Sequence, residues 1–307
     1  MTIPLELFPG FTEHTFSYDS TSGPVNIAYL TGGEGPPLLL LHGFPQSRVI
    51  WHQIAPHLLA HFKVIIPDLR GYGDSSPVIS DDTHFAYSKR AMAQDQVALM
   101  QFLGYSSFAV CGHDRGGRVA HRLALDHPTL VERFMVLDIS PTYTMYQETN
   151  QRFATGYWHW FFLIQPFPVP ERLIGADPEF WLHQHMDRAG GMKIFDPRCW
   201  QEYVNAIQQP AIVHAMCEDY RAAATIDLEH DQADIDRYNK TIQPLRVLWG
   251  SRGIIATCFN PIEDWQAFSE AKVSGRALDC GHYIPEEKPT EMIEEIMAFF
   301  KNDSILS

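Results

Sequence analysis

The run Gly112-His113-Asp114-Arg115-Gly116-Gly117 places an acid at the centre of a G-x-nucleophile-x-G turn. The flanking glycines permit a sharp bend that lifts one side chain clear of the backbone. Aspartate is already ionised at neutral pH, so it gains no reactivity from losing a proton. It can instead attack a saturated carbon that carries a leaving group, such as a halide or an epoxide oxygen. The product of that step is an alkyl ester on the protein. A turn aspartate with no chemical role is the plain alternative. The apolar run before Asp114 and the helical pattern after it argue against that alternative.

Hydrolysis of such an ester needs anion-stabilising donors, a base and a group that orients the base. His42-Gly43-Phe44-Pro45 follows an apolar run, and the backbone N–H groups of Phe44 and Arg115 are the expected donors. The His42 side chain is expected to be structural. The base is expected at His282, in Asp279-Cys280-Gly281-His282-Tyr283-Ile284-Pro285. The run Leu248-Trp249-Gly250-Ser251-Arg252-Gly253-Ile254 offers no acid to support it. Asp138, closing the preceding apolar strand, takes that role. A turn cap beside Ser140-Pro141 is the alternative for Asp138.

Arg115 and Arg118 crowd the nucleophile from the start of its helix. A substrate carboxylate fits them, because each guanidinium offers paired donors to two oxygens. An ion pair that only lowers the Asp114 pKa is compatible with the same residues. His159, Trp160 and Tyr220 are compact donors that could solvate a departing halide. Packing among aromatics is the simpler account of those three when they are taken alone. His183-Gln184-His185 lacks the further ligands a metal site requires.

These groups must be carried by a scaffold. Pro36–Gly43, Lys63–Asp68, Ser107–Gly112, Phe134–Asp138, Leu245–Gly250 and Arg276–Cys280 read as short buried strands. Lys89–Leu103, Gly116–His127 and Pro289–Phe300 read as helices. The alternation predicts a doubly wound, mostly parallel α/β sheet. Residues 142–240 change texture to aromatics, His, Asp and Gln. They are expected to form a helical cap inserted into a core of residues 1–141 and 241–307. The 307 residues, 45% of them hydrophobic, supply a large core. A net charge of -14 without a basic stripe argues against nucleic acid as a partner. The same charge obliges any anionic substrate to be met by a local cationic pocket. No secretory leader is expected in Met1–Phe11, and no stretch approaches the roughly 18–20 apolar residues of a membrane span. Five widely spaced cysteines without a CxxC pair suit reduced thiols and a cytoplasmic location.

Taken together, His42-Gly43-Phe44-Pro45-Gln46, Gly112 to Arg118, Leu137-Asp138-Ile139, His159-Trp160-Phe161-Phe162, Cys217 to Ala222 and Cys280-Gly281-His282 resemble the fluoroacetate (haloacetate) dehalogenases of the α/β-hydrolase superfamily. The resemblance spans nearly the whole chain. It implies an α/β-hydrolase fold, with Asp114 as nucleophile and His282 as base supported by Asp138. It further implies a substrate carboxylate on Arg115 and Arg118 and a halide among His159, Trp160 and Tyr220. A homodimer without cofactor is implied as well, as are a haloacid and a halide ion as the only small-molecule partners. Epoxide hydrolases share the elbow acid but typically place two cap tyrosines on the epoxide oxygen. Haloalkane dehalogenases usually carry Trp where Arg115 stands. A non-catalytic receptor on the same scaffold is the remaining alternative.

Overall fold

A computed structural model describes residues 3–188 and 190–301. Eight strands form one sheet: β1 Phe11–Ser20, β2 Gly23–Gly32, β3 Pro37–Leu41, β4 Lys63–Pro67, β5 Phe108–His113, β6 Val131–Leu137, β7 Leu245–Gly250 and β8 Ser274–Leu278. Their spatial order is β1-β2-β4-β3-β5-β6-β7-β8. All neighbours from β4 to β8 pair in parallel, whereas β2 is antiparallel to both β1 and β4. The central strands are apolar throughout, as both faces are covered: every residue of β5 is buried, as are Leu38 to Leu41 of β3.

The hairpin of β1 and β2 was not anticipated from the sequence. Its two-residue turn, Thr21-Ser22, joins Ser20 to its partner Gly23. In β1 only Phe11 and Phe16 are buried, without a two-residue period, whereas β2 is buried continuously from Ile27 to Gly32. The last strand begins at Ser274, two residues before the expected Arg276. The helices Lys89–Phe102, Arg115–Asp126 and Pro289–Phe300 lie where the periodicity puts them.

Between β6 and β7 the described chain is helical and loop structure from Thr142 to Asp236. Proline at the first or second position starts four of these helices: Val169–Ala176, Pro178–Met186, Pro197–Ile207 and Pro210–Ala224. Its missing N–H costs nothing there, because the first-turn N–H groups have no intrahelical acceptor. Asn150, Asp177 and Asp196 cap their helices by accepting backbone N–H groups with their side chains.

This topology collects chemistry at one edge. Asp114 follows β5, Asp138 follows β6, Gly43 and Phe44 follow β3, and His282 follows β8. All stand at the carboxyl ends of parallel strands, where open α/β sheets place their ligands. No helix among the described residues is long and apolar enough to cross a membrane. The five cysteines are unpaired.

Candidate active site

Asp114 bridges β5 and the helix Arg115–Asp126 with φ 47° and ψ -111°. A non-glycine residue there stores strain of roughly 1–3 kcal/mol. The glycines around it are required by close approach. A Cβ on Gly112 would lie 2.3 Å from the Gly116 carbonyl oxygen, and one on Gly116 2.4 Å from that of His42. A Cβ on Gly43 would lie 2.5 Å from Cβ of Asp114 itself. The Phe44 N–H donates to Asp114 Oδ1 at 3.0 Å. The Arg115 N–H is the first of its helix, where the turn supplies no acceptor. Both expected backbone donors therefore flank the nucleophile. His42 is structural, as expected: Nδ1 lies 3.0 Å from the Gly43 oxygen, and Nε2 accepts the Leu69 N–H at 3.0 Å.

The expected base and its support meet. Asp138 adopts φ 52° just after β6. Its Oδ1 accepts the Gly250 N–H at 2.9 Å, and its Oδ2 lies 2.6 Å from His282 Nδ1. Asp138 therefore orients the ring and leaves Nε2 for solvent chemistry. His113 Nε2 donates to the His282 carbonyl at 2.8 Å, which holds the loop. Burial and the neighbouring His282 push the His113 pKa down to about 3, so it adds no charge. Burial by itself would raise the Asp114 pKa. His282, Arg115 and Arg118 outweigh it and hold that carboxyl well below the usual range.

Arg115 is fully buried, and its guanidinium lies 3.4 Å from the centre of the Tyr220 ring. Its Nε is 3.8 Å from Asp219 Oδ2, too far for a hydrogen bond. Asp219 is already engaged by Lys89 and by the Tyr72 hydroxyl, which donates at 2.6 Å. As a result Nε, Nη1 and Nη2 of Arg115 are all buried without a hydrogen-bond partner. Arg118 donates to Ser140 O at 3.2 Å and Thr142 Oγ1 at 2.9 Å, while its Nε stays unpartnered. Neither arginine forms an ion pair with Asp114, so the reading of a bonded structural pair is not what the geometry shows. Their fields act on Asp114 from a distance.

His159 and Trp160 lie on the helix Trp158–Leu163, and Tyr220 on Pro210–Ala224. The structure brings all three beside Phe44 or the arginines: the Phe44 ring is 6.0 Å from His159 and 5.0 Å from Tyr220. Arg118 lies 4.8 Å from the Trp160 ring. His159 Nδ1 and Trp160 Nε1 are buried and unpartnered. Burial, His185 and Arg188 keep His159 well below its ordinary pKa, hence neutral.

Four contributors were missed by sequence reasoning. The Tyr157 hydroxyl lies 3.2 Å from His282 Nδ1. Asp219, held by the Tyr72 hydroxyl, faces Arg115 Nε at 3.8 Å. Arg188 lies beside Tyr157, with its guanidinium 5.1 Å from that ring. Tyr157 immediately precedes Trp158-His159-Trp160 and was indistinguishable there from packing. Asp219 stood in the motif Cys217 to Ala222 without an assigned role. A cavity of about 390 Å³ opens between the helical insertion and the core and reaches His282. Asp114 lies further in and is only 4% exposed. His183 faces solvent while His185 is buried against Arg188, so the two do not converge.

The family model for the alpha/beta hydrolase fold matches residues 36–289. A fluoroacetate dehalogenase from Burkholderia sp is 43% identical over 91% of this chain and 92% of its own. A soluble epoxide hydrolase from Corynebacterium sp. (strain C12) is 33% identical over 89% of this chain and 92% of its own. Among solved structures, a provisionally assigned alpha/beta hydrolase from Nostoc sp PCC 7120 superposes with a TM-score of 0.90 at 50% identity, covering 95% of this chain and 99% of the other. With an elbow acid, a supported histidine and this sheet order on the same scaffold, the chain is a hydrolase that belongs to the α/β-hydrolase superfamily, in the family of the fluoroacetate (haloacetate) dehalogenases.

Proposed function

We propose that the protein hydrolyses haloacetates, with fluoroacetate as the substrate. One observation carries this reading. Around an ionised carboxylate nucleophile, all three guanidinium nitrogens of Arg115, Nε of Arg118, Nδ1 of His159 and Nε1 of Trp160 are buried without partners. Buried donors left unpaired are rare and need an acceptor. A substrate carboxylate and a departing halide supply acceptors to both halves of that set.

In this mechanism Arg115 and Arg118 grip the carboxylate. Asp114 attacks the α-carbon in line, the carbon–halogen bond breaks, and the halide leaves toward His159, Trp160 and Tyr220. Hydrogen bonds that strengthen as charge develops make even fluoride a workable leaving group. His282 then takes a proton from water. The water attacks the carboxyl carbon of Asp114, the Phe44 and Arg115 N–H groups hold the oxyanion, and as the ester bond breaks the proton on His282 passes to the departing alkoxide oxygen, which frees glycolate and restores the base. Residues 142–240 serve as the cap over a core of 1–141 and 241–307. The enzyme works in the cytoplasm without a cofactor.

Single turnover in oxygen-18 water tests the route. Unlabelled glycolate with label in Asp114 is expected, and Asp114→Asn should abolish first-turnover fluoride release. Label in the first glycolate would sink the ester intermediate. Epoxide opening is the competing activity on this elbow, so styrene oxide is assayed in parallel. Opening of styrene oxide without fluoride release from fluoroacetate would replace the proposed substrate class.

A further inference from the structure

The chain carries a net charge of -14, yet the cavity leading to His282 is lined by Arg152, Arg188 and Arg252 and by no carboxylate among the described residues. The three come from separate elements: the helix Gln151–Gly156, the segment after Pro178–Met186, and the turn after β7. Arg252 is partly compensated, with Nε 3.5 Å from Asp279 Oδ1 and Nη2 3.8 Å from Glu287 Oε2.

Arg188 is held differently. Its Nε donates to the His185 carbonyl at 3.0 Å, and its Nη2 donates to His185 Nε2 at 3.1 Å. Its guanidinium also lies 5.1 Å from the Tyr157 ring and 6.0 Å from the Tyr283 ring. These contacts orient a cation without neutralising it, and no carboxylate among the described residues reaches ion-pair distance. Tyr157 in turn touches His282. The charge therefore lines the entrance beside Tyr157, which itself touches the base. Low-dielectric walls focus the field of such a charge and raise the local concentration of the opposite charge.

We propose that Arg188 is the receiving station for the substrate anion. It draws a small carboxylate through the acidic outer field into the vestibule and passes it to Arg115 and Arg118. This inference rests on the substrate being an acid, as proposed above. It makes Arg188 a determinant of capture, with the chemical step left to the inner residues.

Fluoride release from fluoroacetate, measured against ionic strength, tests it on wild type, Arg188→Gln and Arg188→Lys. At about 10 mM salt, where the Debye length is about 30 Å, Arg188→Gln should raise KM by about tenfold. The difference should vanish near 1 M salt, where that length is about 3 Å, and Arg188→Lys should retain wild-type behaviour. An unchanged KM at low salt in Arg188→Gln, or an equal loss of kcat in both variants, would overturn the proposal. Acetate binding, followed by tryptophan fluorescence, keeps the two readings apart. If wild type released no fluoride, the haloacetate reading would fail. Acetate binding about tenfold weaker in Arg188→Gln would then still support the station, and equal binding would reject it.

Discussion

Asp138 uses its two oxygens for separate purposes. Oδ1 holds the backbone at Gly250, and Oδ2 holds His282. Its φ of 52° lies where asparagine and aspartate are among the few residues tolerated without glycine's freedom. Asp138→Asn should therefore fold, with the amide oxygen still accepting the Gly250 N–H. The amide nitrogen would then face His282 Nδ1 as a donor. That forces the proton onto Nε2 and removes the lone pair needed to activate water. Carbon–halogen cleavage by Asp114 does not use that lone pair. The expected outcome is a burst of one fluoride per chain followed by turnover roughly 10³–10⁴-fold below wild type. Intact-protein mass spectrometry should find one carboxymethyl group trapped on Asp114. Slow release without a burst would show that His282 already acts in the first step.

The short helix Ile284–Glu287 directly follows His282, and Glu286 ties it to two other elements. Gln46 Nε2, beyond β3, donates to Glu286 Oε2 at 2.6 Å, and the Tyr203 hydroxyl, on the helix Pro197–Ile207 of the insertion, donates to Oε1 at 3.2 Å. Burial pushes the Glu286 pKa up from 4.5 to about 8, so the folded protein holds its proton at neutral pH. Turning the Gln46 amide would let its otherwise unpartnered oxygen accept that proton. The unfolded chain loses the proton near pH 4.5 and the folded chain near pH 8. The stability contribution is therefore complete below about 4.5 and is lost as pH rises toward 8. Glu286→Gln should abolish this slope and gain on wild type by a few kcal/mol at pH 9 in urea unfolding. Parallel pH profiles for the two proteins would refute the buried neutral acid. Elements of this kind differ in how readable they were. β5, β7 and the final helix are continuous apolar or amphipathic runs, so their sequence nearly determined them. Asp114, His282 and Asp138 were legible because each follows such a run. In the hairpin, β1 buries only Phe11 and Phe16 among polar residues, so it carries no two-residue period to read. Asp219, Tyr157 and Arg188 meet the site through neighbours brought from distant segments, and no local spacing encodes that.

At the scale of the molecule, a net charge of -14 keeps copies apart while apolar surface draws them together. The insertion exposes Phe167, Val169, Leu173 and Phe180, the last three on the consecutive helices Val169–Ala176 and Pro178–Met186. Val169 and Leu173 are one helical turn apart and share a face. The homodimer implied by the family resemblance would cover this surface with a second copy. Like charges on the two copies oppose association, and salt screens that repulsion while leaving apolar contact intact. Light scattering should then give twice the chain mass, with the dimer tightening as salt rises from about 0.01 to 1 M. Leu173→Asp combined with Phe180→Asp places two carboxylates in that apolar surface, and burying them unpaired is costly. The double variant should run as a single chain and still release fluoride in its first turnover, since neither residue lines the entrance or the site. A wild type that stays single at every salt concentration would reject the interface, as would a double variant that still pairs.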